Sequence, residues 1–167
     1  MAHRVRTVPA RTGWRRRLAR APIALYRWRL GGLLGSRFLL LTHTGRTSGR
    51  PRQAVLEIAG RDRTTGAYHV ASGFGPESQW YRNVRDTPDV TIQVGRRSTD
   101  AVARPMTPEE SGRAMATYAR RHPRTARRLM GACGIETDGT AEDYARVGHE
   151  FIPFVEVTPV RRPGEPV

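Results

Sequence analysis

Residues 38–59 constrain the fold most: Phe-Leu-Leu-Leu-Thr-His-Thr-Gly-Arg-Thr-Ser-Gly-Arg-Pro-Arg-Gln-Ala-Val-Leu-Glu-Ile-Ala. Residues 38–41 are an apolar run of strand length, and Val55, Leu56 and Ile58 supply a second. Between them lies Gly45-Arg46-Thr47-Ser48-Gly49-Arg50-Pro51-Arg52. The two glycines permit positive φ and close backbone approach. Successive N–H groups in such a turn form a nest for an anion. Thr47 and Ser48 add hydroxyls, while Arg46, Arg50 and Arg52 add permanent charge in a fork suited to phosphate or carboxylate. Pro51 stiffens the exit. A basic hairpin turn with no ligand fits the same residues equally well. The loop is not a P-loop, because no Gly-Lys-Ser/Thr closes it.

The charge is unevenly placed. Through Arg52 there are 13 arginines and no acid, and the remainder holds 16 arginines against 15 acids. A nearly neutral domain therefore follows a cationic N-terminal third, which attracts polyanions: nucleic acid, an acidic membrane surface or a polyanionic cofactor. All 29 cations are arginine, which a high-GC coding bias of actinobacterial type explains as readily as selection for guanidinium. The arginines are not interleaved with a nucleic-acid recognition motif, which argues against nucleic acid. No apolar run reaches membrane-spanning length. Arg27 and Arg29 interrupt any signal-peptide core, and the lone Cys133 fits a reducing compartment. A cytoplasmic protein is expected, with peripheral contact at the inner membrane face through residues 14–34 as the minority alternative.

At 167 residues one domain is expected. Residues 1–13 carry no periodic pattern and read as disordered. Residues 14–36 read as an amphipathic helix and its glycine-rich end, with Ile23, Tyr26, Leu30 and Leu33 on one face. That face either packs on the domain or lies on an anionic membrane. Strands at 52–59 and 67–72 form a hairpin, with Tyr68, Val70 and Ser72 on one face and His69 and Ala71 on the other. A short helix runs from 76 or 77 to 85, followed by strands at 90–94 and 98–103. Thr107-Pro108-Glu109-Glu110 is a capped helix start, with Met115, Tyr118 and His122 on the inner face. Pro123 interrupts it, and a second helical piece runs to about residue 130. Thr140 caps a further helix bearing Tyr144 and Val147. The last strand spans 151–157, where Pro153 predicts an edge or a bulge, and 159–167 form a disordered tail. About six mainly antiparallel strands with inserted helices make an α+β or small-barrel domain.

The five histidines lack ligand spacing and Cys133 stands alone, so no metal site is expected. No G-x-S-x-G elbow surrounds Ser72, so no covalent nucleophile is expected.

Gly-Arg-x-Ser-Gly-x-Pro-Arg after an apolar strand resembles the deazaflavin-dependent nitroreductase family, whose members bind the reduced deazaflavin coenzyme F-420. The resemblance continues at residues 71–75 (Ala-Ser-Gly-Phe-Gly), 80–84 (Trp-Tyr-Arg-Asn-Val) and 88–95, and closes at the strand 151–157, covering roughly 30–158. It implies a split β-barrel over 37–158. It implies hydride transfer from F-420 to a small activated acceptor: an enone, a quinone or a nitro compound. By the same resemblance Arg46, Thr47, Ser48, Gly49 and Arg52 hold the phosphate and acidic tail, and Gln53 and Ala54 follow against the ring or its ribityl chain. Ala71, Ser72 and Gly73 form a second contact strand. Trp80 and Asn83 lie on a helix at the cofactor side, and Tyr118 lies on the substrate side. Ser72 is the candidate catalytic donor, with ring positioning or strand structure as its equal alternative; Trp80 as simple core is a competitor to its cofactor role. Threonine at 47 and glycine at 73 depart from basic residues common in the family. The tyrosine-rich segment of nitro-reducing relatives is absent, so a nitroaromatic substrate is not carried over. The alternative is a non-catalytic split-barrel module for FMN, haem, lipid or a polyanion. Nothing in the sequence bears on oligomeric state.

Overall fold

The computed structural model describes residues 3–4 and 35–160. The elements are β1 (His3–Arg4), β2 (Phe38–Thr44), β3 (Pro51–Arg61), β4 (Tyr68–Ala71), α1 (Gln79–Asp86), β5 (Asp89–Val94) and β6 (Arg97–Pro105). After them come α2 (Pro108–Arg121), α3 (Pro123–Cys133), β7 (Ile135–Glu136), α4 (Ala141–Glu150) and β8 (Phe154–Pro159). Six strands close an antiparallel barrel in the order β2-β3-β4-β8-β6-β5, with β5 returning to β2. The expected α+β barrel is the observed one. No helix among the described residues is long and apolar enough to cross a membrane.

Period-two alternation builds the interior. Leu39 and Leu41, Val90 and Ile92, Ala101 and Ala103, and Val155 and Val157 all point inward. Tyr81 and Val84 of α1 join this cluster. A bulge between Ile58 and Gly60 interrupts the β3–β4 register, as expected where a strand bends to close a barrel. A second core lies outside. Met115 and Tyr118 of α2, Met130 and Cys133 of α3, and Tyr144 and Val147 of α4 pack with Phe154, the first residue of β8. Thus β8 carries a core on each face.

Local chemistry sets the helix boundaries. Thr107 and Glu110 form a reciprocal capping box at the start of α2. Pro123 lacks the N–H that would continue α2, so α3 starts there, and it ends at Gly134 in the left-handed conformation. Thr140 caps α4 by accepting from Asp143 N–H.

Several expectations need correction. The last strand begins at Phe154 rather than 151, because the N–H groups of Phe151 and Ile152 both bond back to the Val147 carbonyl and extend the turn of α4. Pro153 marks no edge: β8 lies between β4 and β6, and the Pro153 carbonyl accepts from Ser72 N–H. α1 begins at Gln79, since turn bonds from Gly75 N–H to Ser72 O and from Ser78 N–H to Gly75 O hold the preceding residues. His122 does not face inward; it is exposed at the end of α2, its ring tilted against Tyr118. His3 and Arg4, within a stretch expected to be disordered, pair with Glu136 and Ile135 of β7. The helix expected over 14–36 lies outside the described residues up to 34, and Gly35 and Ser36 form a turn. Val160 N–H still bonds to Asp100, and 161–167 lie outside the described residues.

Candidate functional site

The β2–β3 loop is held shut at its neck. Gly45 N–H donates to Arg50 O at 2.9 Å, and Gly49 N–H to Gly45 O at 2.7 Å. Gly49 sits at φ 64°, where a side chain is strained. A Cβ on Gly45 would lie 2.8 Å from Ser48 Oγ and 3.2 Å from Arg50 O. Both glycines are therefore required by geometry. Ser48 Oγ accepts from Arg50 N–H at 3.3 Å. The N–H groups of Thr47 and Ser48 take no partner among the described residues. The loop tip thus presents two consecutive free donors.

Asn83 anchors the loop to α1. Its Oδ1 accepts from the Arg46 backbone N–H at 3.2 Å and from Arg46 Nη1 at 3.3 Å. Arg46 Nη1 also donates to Gln79 Oε1 at 2.8 Å. The guanidinium is thus pulled toward the first turn of α1, beside Trp80. Asn83 Nδ2 lies 3.1 Å from His43 Nδ1. An amide nitrogen only donates, so His43 accepts there and is neutral in this arrangement. His43 is 5% exposed, and its pKa lies below the usual histidine value, because burial penalises the imidazolium and Arg52 repels it, against a backbone contact at Thr44.

Arg46, Arg50 and Arg52 have no carboxylate at ion-pair distance among the described residues, whereas Arg37, Arg82 and Arg146 each have one and Arg104 has two. Thr47, Ser48 and Gln53 are exposed, and Gln53 Nε2 reaches Thr42 Oγ1 across the strands at 3.4 Å. Trp80 is half-buried, packed on the barrel core and edge-on to Tyr81, with ring centroids 6.0 Å apart.

The β4–α1 loop meets this assembly at the start of α1. Ser72 has no exposed surface. Its hydroxyl donates to Gly75 O at 2.7 Å and shares a 2.8 Å hydrogen bond with Ser78 Oγ. That geometry shapes the loop; donation to a substrate would require breaking it. Ala71 packs on the outer core. Gly73 lies beneath α3, where Cys133 Sγ–H donates to its carbonyl at 2.8 Å and an added Cβ would stand 3.3 Å from Leu129. Tyr118 stands apart. It is buried in the outer core, and its hydroxyl donates to Glu57 Oε2 at 3.2 Å. Burial and the Glu57 carboxylate push its pKa up, so it stays protonated. Two hollows, of about 410 and 520 Å³, both follow α3 and are not lined by the β2–β3 loop. The unpaired donors thus lie on the β2–β3 loop, away from both hollows.

The structure brings Arg46, Asn83 and the loop backbone together, with Trp80 one residue beyond Gln79. It adds Gln79 and His43, which the motifs did not single out. His43 was legible in one respect: it continues the inward row Leu39–Leu41 at period two.

A closed six-stranded antiparallel barrel with inserted helices, carrying an arginine-rich loop between β2 and β3, has the architecture of the split-barrel class. The chain matches the F420H(2)-dependent quinone reductase family over residues 10–133, and it belongs to that family. It is therefore an oxidoreductase that uses F-420. No curated protein sequence matches it. Among solved structures it is similar to an F420-H2 dependent reductase (FDR-A), at 26% identity and TM-score 0.49, covering 72% of this chain and 93% of that one. It is also similar to the conserved hypothetical protein Rv2991 from Mycobacterium tuberculosis, at 20% identity and TM-score 0.53, covering 83% and 80%. The heme storage protein HutZ from Vibrio cholerae shares the fold at 14% identity and TM-score 0.50, covering 84% and 90%. The last two likenesses establish the split barrel.

The donor set fits the cofactor. F-420 carries a phosphodiester and an acidic tail, and the loop offers free N–H groups, hydroxyls and three guanidinium groups without carboxylate partners.

Proposed function

We infer that this protein reduces a small activated organic acceptor, an enone, quinone or nitro compound, at the rim of the barrel beside α1. When bound, reduced F-420 supplies the hydride. The protein's part is to bind, orient and exclude. The N–H groups of Thr47 and Ser48, with Arg50 and Arg52, grip the anionic portion. Arg46 closes the side toward α1: Nη1 is committed to Gln79 and Asn83, and the rest of the guanidinium stays available for a forked bond. Gln53 follows along β3. Half-buried Trp80 supplies an apolar wall. Ala71, Ser72 and Gly73 hold the second loop's shape against α3 and α1, and Asn83 fixes the first loop.

One observation carries this assignment: Arg46 is pinned to α1 while the loop tip keeps two free donors and no carboxylate partner. Titrating the protein into F-420 and following cofactor fluorescence tests it. Arg46→Ala should weaken binding by roughly 10- to 100-fold, the worth of a charge-assisted bond. Added salt should weaken wild type more than the variant. Equal affinities, or no uptake by wild type, would remove the basis for the site.

A further inference from the structure

We propose that His43 is a positioning residue whose neutral ring sets the orientation of the Asn83 amide, and thereby holds the Arg46 loop in its ligand-gripping form. This rests on the assignment of that loop to the cofactor. Asn83 has two faces. Its Oδ1 takes the Arg46 N–H and Arg46 Nη1, at 3.2 and 3.3 Å. Its Nδ2 can then only point at His43 Nδ1, 3.1 Å away, which must accept.

Protonating His43 turns that acceptor into a donor. Two N–H groups then face each other, and the amide relieves the clash only by rotating so that Oδ1 meets the ring. Rotation puts Nδ2 against the Arg46 N–H and guanidinium, again donor against donor. One proton on a buried ring therefore withdraws the anchor from a loop on the other side of Asn83.

The surroundings keep the ring neutral at ordinary pH. The charged groups that face it are Arg52 across β3 and, through Asn83, Arg46; α1 presents only the neutral amide. No described carboxylate pairs with it, in contrast to His69 and His149. Burial and Arg52 both depress its pKa, so the switch operates on the acid side of the normal histidine range.

The test uses the full chain without and with F-420. Nitrogen-labelled His43, the Asn83 side-chain amide and the Arg46 backbone amide are followed by NMR through the histidine titration range. In parallel, F-420 affinity is measured by fluorescence. The expected results are a ring protonated at Nε2 at neutral pH, Arg46 and Asn83 shifts that titrate with His43, and affinity about tenfold weaker once His43 is charged. His43→Gln offers Asn83 an acceptor at every pH. It should keep neutral-pH affinity while flattening the acid-side loss. Acid weakening that persists in His43→Gln belongs to the ligand and overturns the proposal. So does an Arg46 amide that ignores His43. Failure of wild type to bind F-420 at any pH would instead sink the cofactor assignment and leave the His43–Arg46 coupling in the free protein to be judged separately.

Discussion

Asn83 satisfies three partners with one amide, while only 5% of its surface is exposed. Asn83→Leu would strand the buried His43 acceptor and free the Arg46 N–H, losing about 1–3 kcal/mol of stability and loosening the loop. Chemical denaturation combined with F-420 titration should show both losses. His43 contributes a pH-dependent term. Its folded pKa lies below 6.5, so the folded state binds fewer protons than the unfolded chain in the acid range. That contribution is complete above the unfolded value and is lost as pH falls through the lowered one. The denaturation midpoint should therefore drop as pH falls below the ordinary histidine value and through the lowered one, and drop less in His43→Gln. Gly45→Ala is expected to spring the loop neck, because the methyl would meet Ser48 Oγ at 2.8 Å and the rigid Arg50 carbonyl at 3.2 Å. F-420 affinity should fall with only a small drop in melting temperature, since Gly45 is buried at the neck but residues 46–50 beyond it are exposed.

The α2–α4 pair depends on two glycines. A Cβ on Gly112 would stand 2.8 Å from the Ala145 carbonyl, and one on Gly148 would collide with the Ser111 carbonyl and Met115. Gly148→Ala must push the helices apart, opening the core around Met115 and Val147. A loss of about 2–3 kcal/mol is expected from such overpacking, read as a lowered melting temperature with the fold retained. The helix starts were readable because caps are local chemistry: Thr107, Pro108 and Glu110 announce α2 in three letters. The beginning of α1 was not readable, because it depends on turn bonds among Ser72, Gly75 and Ser78 formed in the folded loop. Pro153 misled for a similar reason. Its missing N–H suggested an edge, yet its position just outside β8 leaves the ladder intact.

Closure of the barrel leaves no free edge among its six strands, and β8 joins two cores back to back. Phe154 faces the helices and Val155 the barrel interior. Such coupling predicts one cooperative transition. Ile92→Ala, inside the barrel, and Met115→Ala, under the helices, should each cost about 2–5 kcal/mol and shift the same single calorimetric peak. Two separated peaks in either variant would contradict it.

The sequence determined the local terms by itself: the alternating strands, the glycine-bounded arginine loop, the capped helices and the motif order that marks the family. Each is set by residues a few positions apart, through pleat period, permitted φ or a cap. Only the tertiary structure decided which loop donors stay unpaired, that Ser72 is sealed into its own turn, that Tyr118 turns to Glu57, and that His43 stands behind Asn83. Those outcomes rest on contacts between residues up to 61 positions apart, as for Tyr118 and Glu57. Barrel closure brings such residues within hydrogen-bond range, and no local periodicity encodes it.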